Sequence, residues 1–233
     1  MISFKRFLKE AGGAEPGILE VDSTPLEDAR TFILNMKFDL DKELPNFDEN
    51  YKKAQAKSRR GRTKRKDMPV ITDADVKQFQ KRLKDGKIDI NSPFSKTTDK
   101  KDPFPEGLSG NDAKKFLQNG LRDGNNKDDV VQVKEIKKKV SDLIPIQKQI
   151  YFDKSIGTVI ANGVKSSKSF LSSKSFFITS SDNFIIDGHH RFLSAMLIDP
   201  KMSVNTLSIN LPIAKLLPMS LAFGDAIGNK RNK

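Results

Sequence analysis

Asp187, Gly188, His189, His190 and Arg191 stand in a row, and they hold both histidines of a 233-residue chain. Phe184-Ile185-Ile186 before them reads as a short buried strand ending in an acid. Phe192, Ala195 and Met196 after them recur at helical spacing, so the stretch predicts strand, glycine turn and helix N-terminus. Gly188 can take a positive φ and let the backbone approach a ligand. The first N–H groups of a helix have no intrahelical partner, and the macrodipole is positive there. Such an end binds anions, phosphate above all. His190 and Arg191 add donors at the same place, and a guanidinium can grip a phosphate with two parallel bonds. The chemistry this allows is phosphate binding, with phosphoryl or phosphodiester transfer as the reaction class. That class needs positioning, charge neutralisation and often Mg²⁺. His190 and Arg191 would neutralise charge, and Asp187 is the candidate for metal binding or proton transfer, with His190 as the second catalytic candidate. The same residues also fit a plainer role, with Asp187 capping the turn and the histidines packing at the helix start.

Other chemistries are narrowed by what the chain lacks. It has no cysteine, which excludes disulfides, thiolate metal sites and cysteine nucleophiles. No Walker A loop and no G-x-G-x-x-G are present. Two adjacent histidines at a helix start point in different directions, so a zinc site is not expected. A nucleophile elbow is not visible. The net charge of +12 points to polyanions, nucleic acid first. No apolar run reaches ~18 residues, so no membrane partner is expected. Met1–Leu8 is too short and too charged for a secretory signal, and a cytoplasmic or virion location is expected.

At Gly188-His189-His190-Arg191 the chain resembles the ParB/sulfiredoxin superfamily, whose hallmark is a strand followed by a G-x-H-R-type turn that opens a helix and holds nucleotide phosphates. Asp187 is similar to the D-G-H-H-R and D-G-H-T-R variants, which include ADP-dependent serine kinases. Upstream, Val140-Ser141-Asp142-Leu143-Ile144-Pro145-Ile146-Gln147 resembles the family's first box, a strand running into L-x-P-x-Q. The resemblance covers roughly 131–217. It implies a nucleotide cofactor (ATP, ADP or CTP) with Mg²⁺, Gly188, His189, His190 and Arg191 as nucleotide-binding residues, and Asp187 as the metal residue. Sulfiredoxins carry their catalytic cysteine where His189 stands, so sulfinic-acid reduction is not implied. Glu135, Asp142 and Gln147 lie in the region from which a base could come. Only about forty residues follow Arg191, so the helix-turn-helix module of ParB proper, and centromere recognition with it, is not expected.

The elements that must position this turn follow from periodicity. The expected fold class is α+β, with a helical, partly irregular N-terminal extension over 1–125 and a small mixed-sheet domain over 126–233, which the resemblance implies is ParB/sulfiredoxin-like. Strands are predicted within Val130–Val140 and at Ser175–Thr179, Phe184–Asp187 and Val204–Leu211. Helices are predicted at Lys154–Ala161, His190–Leu197 and Ile213–Phe223. Ser180–Asn183 is the predicted hairpin turn, and Val164–Lys174 a surface loop. In the extension, short helices are predicted at Ile2–Ala11, from Thr72 to Gly86 and at Asp112–Leu121. Thr24-Pro25-Leu26-Glu27 opens another, with a packing stripe from Leu26 to about Leu40.

Every charged residue between Tyr51 and Lys66 is basic. Such a run is either a solvated arm or a polyanion contact, and Arg59, Arg60, Arg62, Lys64 and Arg65 are the candidate DNA-binding residues. Base stacking by this run is not supported, since Tyr51 is its one aromatic residue. The leading expectation is therefore a phage-type, ParB-like nucleotide-binding protein with nuclease or NTPase activity on DNA. The alternatives are a kinase of free serine or of protein on the same pocket, and an inactive phage structural or packaging-associated protein.

Overall fold

The computed structural model describes residues 19–65, 68, 133–217 and 220, in two compact units. The first holds residues 19–65 together with 135–178 and 183–207. The fold is mixed α+β, as expected. The predicted elements at 2–11, 72–86 and 112–121, and the boundary near Asn125, lie outside the described residues.

Helix α1 runs over Leu26–Asn35. Pro25 holds its N-cap position at φ −60°, a preset geometry that spends no N–H. Glu27 and Asp28 place negative charge in the first turn, where the dipole favours it. Thr24 does not cap the helix as expected: its hydroxyl turns back and donates to the Glu20 carbonyl at 2.7 Å. Ala29 and Ile33 are fully buried, but α1 ends five residues short of the predicted Leu40, after which Lys37 adopts φ 56°. A one-turn helix α2 follows at Leu40–Glu43, capped by the Asp39 carboxylate, which accepts from the Lys42 N–H at 3.3 Å.

The basic run is not a free arm over its first half. Phe47–Ser58 forms helix α3. Its residues Phe47, Tyr51, Ala54 and Ser58 are buried at helical spacing, with Lys52 and Lys53 exposed on the other side. The Tyr51 ring meets Phe152 edge-on at 5.3 Å, and its hydroxyl donates to the Thr24 carbonyl at 2.8 Å. A stripe of this kind stabilises a helix through burial whatever charge its outer face carries.

Five strands, β1 (Val133–Lys139), β2 (Ile144–Pro145), β3 (Phe176–Thr179), β4 (Phe184–Asp187) and β5 (Ser203–Ile209), form one sheet in the order β1-β5-β3-β4-β2. β1, β3, β4 and β5 fall on or within two residues of the predicted segments, and the two-residue β2 was not among them. The Ser180–Asn183 connection between β3 and β4 is too short for anything but antiparallel pairing, and Asn183 takes φ 66° within it. Edge strand β2 pairs parallel with β4, Ile144 opposite Phe184 and Pro145 opposite Ile185. An edge is where a proline costs no ladder bond.

Helix α4 (Phe152–Asn162) packs on α1 and on the helix after β4, α6 (His189–Ile198), and α6 packs on α3. Asn50 of α3 donates to the Leu197 carbonyl at 3.2 Å inside this contact. Val164–Lys174 is not a loop. After Gly163, at φ 79°, it forms helix α5 (Val164–Ser169) and a π-helical turn at Phe170–Lys174. Leu171 is buried beneath it, and serine hydroxyls bond back to the backbone, Ser173 to the Ser169 carbonyl at 2.6 Å. The serine-rich composition read as loop because these hydroxyls compete with helix in an isolated chain.

In the second unit, described at 68, 133–134, 179–182, 208–217 and 220, the Ser181 N–H donates to the Leu211 carbonyl at 2.9 Å. The Asp182 carboxylate there accepts from the Ile213 N–H at 2.9 Å, and residues 213–217 are helical. Among the described residues no helix is long and apolar enough to cross a membrane.

Candidate phosphate-binding site

Strand β4 delivers Asp187, Gly188 makes the turn, and α6 begins at His189. Gly188 adopts φ 108°, a conformation closed to most L-residues. The space beside its Cα is also taken. A Cβ there would lie 2.8 Å from the Phe177 ring and 3.3 Å from an Arg191 guanidinium nitrogen. The glycine thus lets the protein's own side chains close over the turn.

Arg191 sits in the first turn of α6, as predicted. Its Nη2 donates both to the Asp187 carboxylate at 2.6 Å and to the Phe176 carbonyl at 3.0 Å. The guanidinium lies over the Phe177 ring, 5.7 Å from its centre, and Nε is buried with no hydrogen-bond partner. Asp187 and Arg191 are each about one-third exposed, so the pair faces the surface and is worth little to stability by itself. It holds the guanidinium at the mouth of the turn.

The two histidines do something composition does not reveal. The Nε2 of buried His189 accepts from the Gln147 backbone N–H at 3.2 Å, while the ring also donates to the Ile185 carbonyl. The Nε2 of His190 accepts from the Tyr151 backbone N–H at 3.4 Å. Both rings are therefore neutral imidazoles. Burial pushes each down to about 3, with Arg191 and Arg65 adding repulsion at His189, and Lys154 and Arg65 at His190. Between them the histidines tie the segment 147–151 to the start of α6. Of the first-box residues, Gln147 meets the turn, through its main chain, while Glu135 and Asp142 are exposed.

The end of the basic run reaches the same segment. After α3, the Arg62 and Thr63 N–H groups donate to the Ile146 carbonyl at 2.8 and 3.0 Å, and the Lys148 N–H donates to the Thr63 carbonyl at 2.8 Å. The Arg65 N–H donates to the Gln149 side chain at 3.2 Å. Gly61 permits this approach, since a Cβ would stand 2.7 Å from the Gln147 carbonyl oxygen. Gln149 takes φ 62°, a strained choice for a non-glycine residue held by bonds on both sides.

Residues 59–65 therefore form a strap on which Arg59, Arg62 and Arg65 have partners. Arg65 lies over the Tyr151 ring at 5.5 Å, and Tyr151 stacks on His190 at 5.9 Å. Arg62 lies over Phe184 at 6.0 Å, and Arg59 donates to the Asp22 carbonyl at 3.1 Å. Arg60 and Lys64 are exposed.

A nucleotide phosphate would meet the opening N–H groups of α6 here and the exposed part of Arg191, whose Nη2 is shared between Asp187 and the Phe176 carbonyl and whose Nε is buried. Mg²⁺ suits the site poorly. Asp187 offers one carboxylate, already paired with Arg191. Among the described residues no group of three or more histidines and acids is placed to hold a metal. Sequence reasoning missed Tyr151, Phe177 and Gly61. The signal available was the pair of aromatics before β4 and the glycine that interrupts the arginine run. No family model, curated protein or solved structure matches the chain, so the site stands on its own geometry.

Proposed function

We propose that this chain is a phosphate- and polyanion-binding protein of ParB/sulfiredoxin-like type. In this reading the Gly188–Arg191 turn holds nucleotide phosphates, and the strap at 59–65 grips a nucleic-acid backbone. One observation carries it. The strap is bonded to 146–149, His189 is bonded to Gln147 and His190 to Tyr151, and Arg65 stands over Tyr151, which stacks on His190. Cations far apart in sequence are held near the positive end of one helix, where they add to its dipole.

Binding is favoured over turnover. A general base must present a free lone pair to the proton it takes, and the His190 Nε2 lone pair is engaged by the Tyr151 N–H. Asp187 is engaged by Arg191. Neutralisation of phosphate charge falls to Arg191, Arg65 and the helix end, and no step runs through a metal.

The experiment is titration of the wild-type chain and its variants with ATP, ADP and CTP by calorimetry, and with labelled DNA over a salt series. Arg191→Ala is expected to weaken nucleotide binding roughly 10- to 100-fold, the worth of a charge-assisted bond. Replacing Arg59, Arg60, Arg62 and Arg65 by alanine is expected to weaken DNA binding and flatten its salt slope. Unchanged binding in both, with circular dichroism intact, leaves a capped turn and a solvated strap. Phosphate release, DNA nicking or phosphoserine in the same mixtures would restore the enzymatic reading.

A further inference from the structure

Two phenylalanines stand in solvent at either end of the π-helical turn at Phe170–Lys174: Phe170, which opens it, at 50% exposure, and Phe176, the first residue of β3, at 40%. The turn is closed by the Ser175 N–H donating to the Phe170 carbonyl at 2.9 Å, which brings the main chain of Phe170 back to the residue before Phe176. Phe176 is tied to the phosphate-binding turn by the Arg191 bond to its carbonyl. Its neighbour Phe177 points the other way along the strand, fully buried under the guanidinium. The segment from Gly163 to Ser180 contains no acid. Lys165 and Lys174 are exposed on it, and Lys168 is paired with Asp199 at 2.8 Å.

We propose that Phe170 and Phe176 form a stacking platform for the unpaired bases of a single-stranded nucleic acid, whose backbone runs over Lys174 and Arg191. The inference rests on the reading of Arg191 as a phosphate contact and adds the class of polymer that face selects. Exposed rings beside cations are what sequence-tolerant single-strand binding uses: every base has a π-face, and every nucleotide brings a phosphate. A lipid surface is the poorer occupant, because two rings among serines make a small apolar face where an interfacial helix needs a continuous one. A second copy of the chain is poorer still, because a symmetric contact here would set Lys165 and Lys174 against their own equivalents.

The test is fluorescence anisotropy on the full chain with a labelled oligo-dT and with a duplex of equal length. The variants are Phe170→Ala, Phe176→Ala and the pair, plus Phe170→Leu, which keeps the apolar bulk and removes the π-face. Each alanine is expected to weaken oligo-dT binding roughly tenfold and to leave duplex binding within about twofold; Phe170→Leu should behave like alanine. Equal affinity of the alanine variants and wild type for oligo-dT overturns the platform. If duplex binding in that case still falls with the arginine variants of the strap, the polyanion reading survives without it. Binding to anionic vesicles that the alanines abolish while oligo-dT binding stays unchanged overturns it in favour of a lipid surface. A sedimenting dimer that the alanines dissociate, again with oligo-dT binding unchanged, overturns it in favour of self-association. A wild-type chain that binds neither oligonucleotide overturns both readings.

Discussion

The backbone N–H of Gln147 donates to the Nε2 of His189 across 3.2 Å, 42 residues apart in sequence. The bond makes the first histidine a clamp on the segment after β2, and it requires that histidine to stay neutral.

Removing that acceptor should cost stability. His189→Ala leaves the Gln147 N–H and the Ile185 carbonyl unpaired in a buried place, at roughly 1–3 kcal/mol per unsatisfied group. His189→Gln can present an amide oxygen to one and an N–H to the other, and should recover much of the loss. Urea denaturation measures both, and equal stability of His189→Ala and wild type would mean the bond contributes nothing.

Acid should destabilise the fold through the same residue. In the folded chain burial pushes His189 down to about 3, whereas unfolded it titrates near 6.5. The folded ring stays neutral while the unfolded ring binds a proton. The contribution is therefore whole above about pH 6.5 and is lost as pH falls toward 3. The slope is about 1.4 kcal/mol per pH unit inside that window, so pH 5 should show about 2 kcal/mol less stability from this group than pH 7. His190, pushed down to about 3 by the same burial, adds a like slope, so His189→Gln should make the profile shallower by about half of the histidine part, and an unchanged slope in that variant would assign the acid sensitivity elsewhere.

Gly188→Ala should destabilise by roughly 1–3 kcal/mol, combining left-handed strain with the 2.8 Å approach to Phe177. Phe177→Leu in the same chain should return the packing part and leave the backbone part. A double-mutant cycle with no coupling between the two positions would show that Phe177 moves aside freely.

Gly61→Ala should detach the strap. Its Cβ would meet the main chain of Gln147 and Lys148, at 2.7 Å from the nearest atom, and main chain cannot swing away as a side chain can. DNA affinity should fall although no charge has been removed. Affinity and salt slope equal to wild type would mean the arginines act without being held in place.

The fold class, four of the five strands and the start of α6 were legible because alternation and helical period are local properties of the chain, whereas the two-residue β2 is too short to show a period. The glycine turn before Arg191 was legible for the same reason, since strand, turn residue and apolar stripe follow one another directly. The basic helix α3 was obscured by its lysines: Phe47, Tyr51 and Ala54 carry the burial, but the density of charge around them resembles a solvated arm. Val164–Lys174 was obscured by serines, whose hydroxyls favour turns until buried Leu171 anchors the helix. What the two histidines do was decided only by tertiary structure. Sequence places them at a helix start, where a free imidazole would be a donor to phosphate. The fold brings the N–H groups of Gln147 and Tyr151 against their Nε2 atoms and makes them acceptors. The meeting of the strap with that turn was likewise invisible, because it depends on hydrogen bonds between residues more than eighty positions apart, from Arg65 to Gln149. No local pattern encodes which surface such a segment will find.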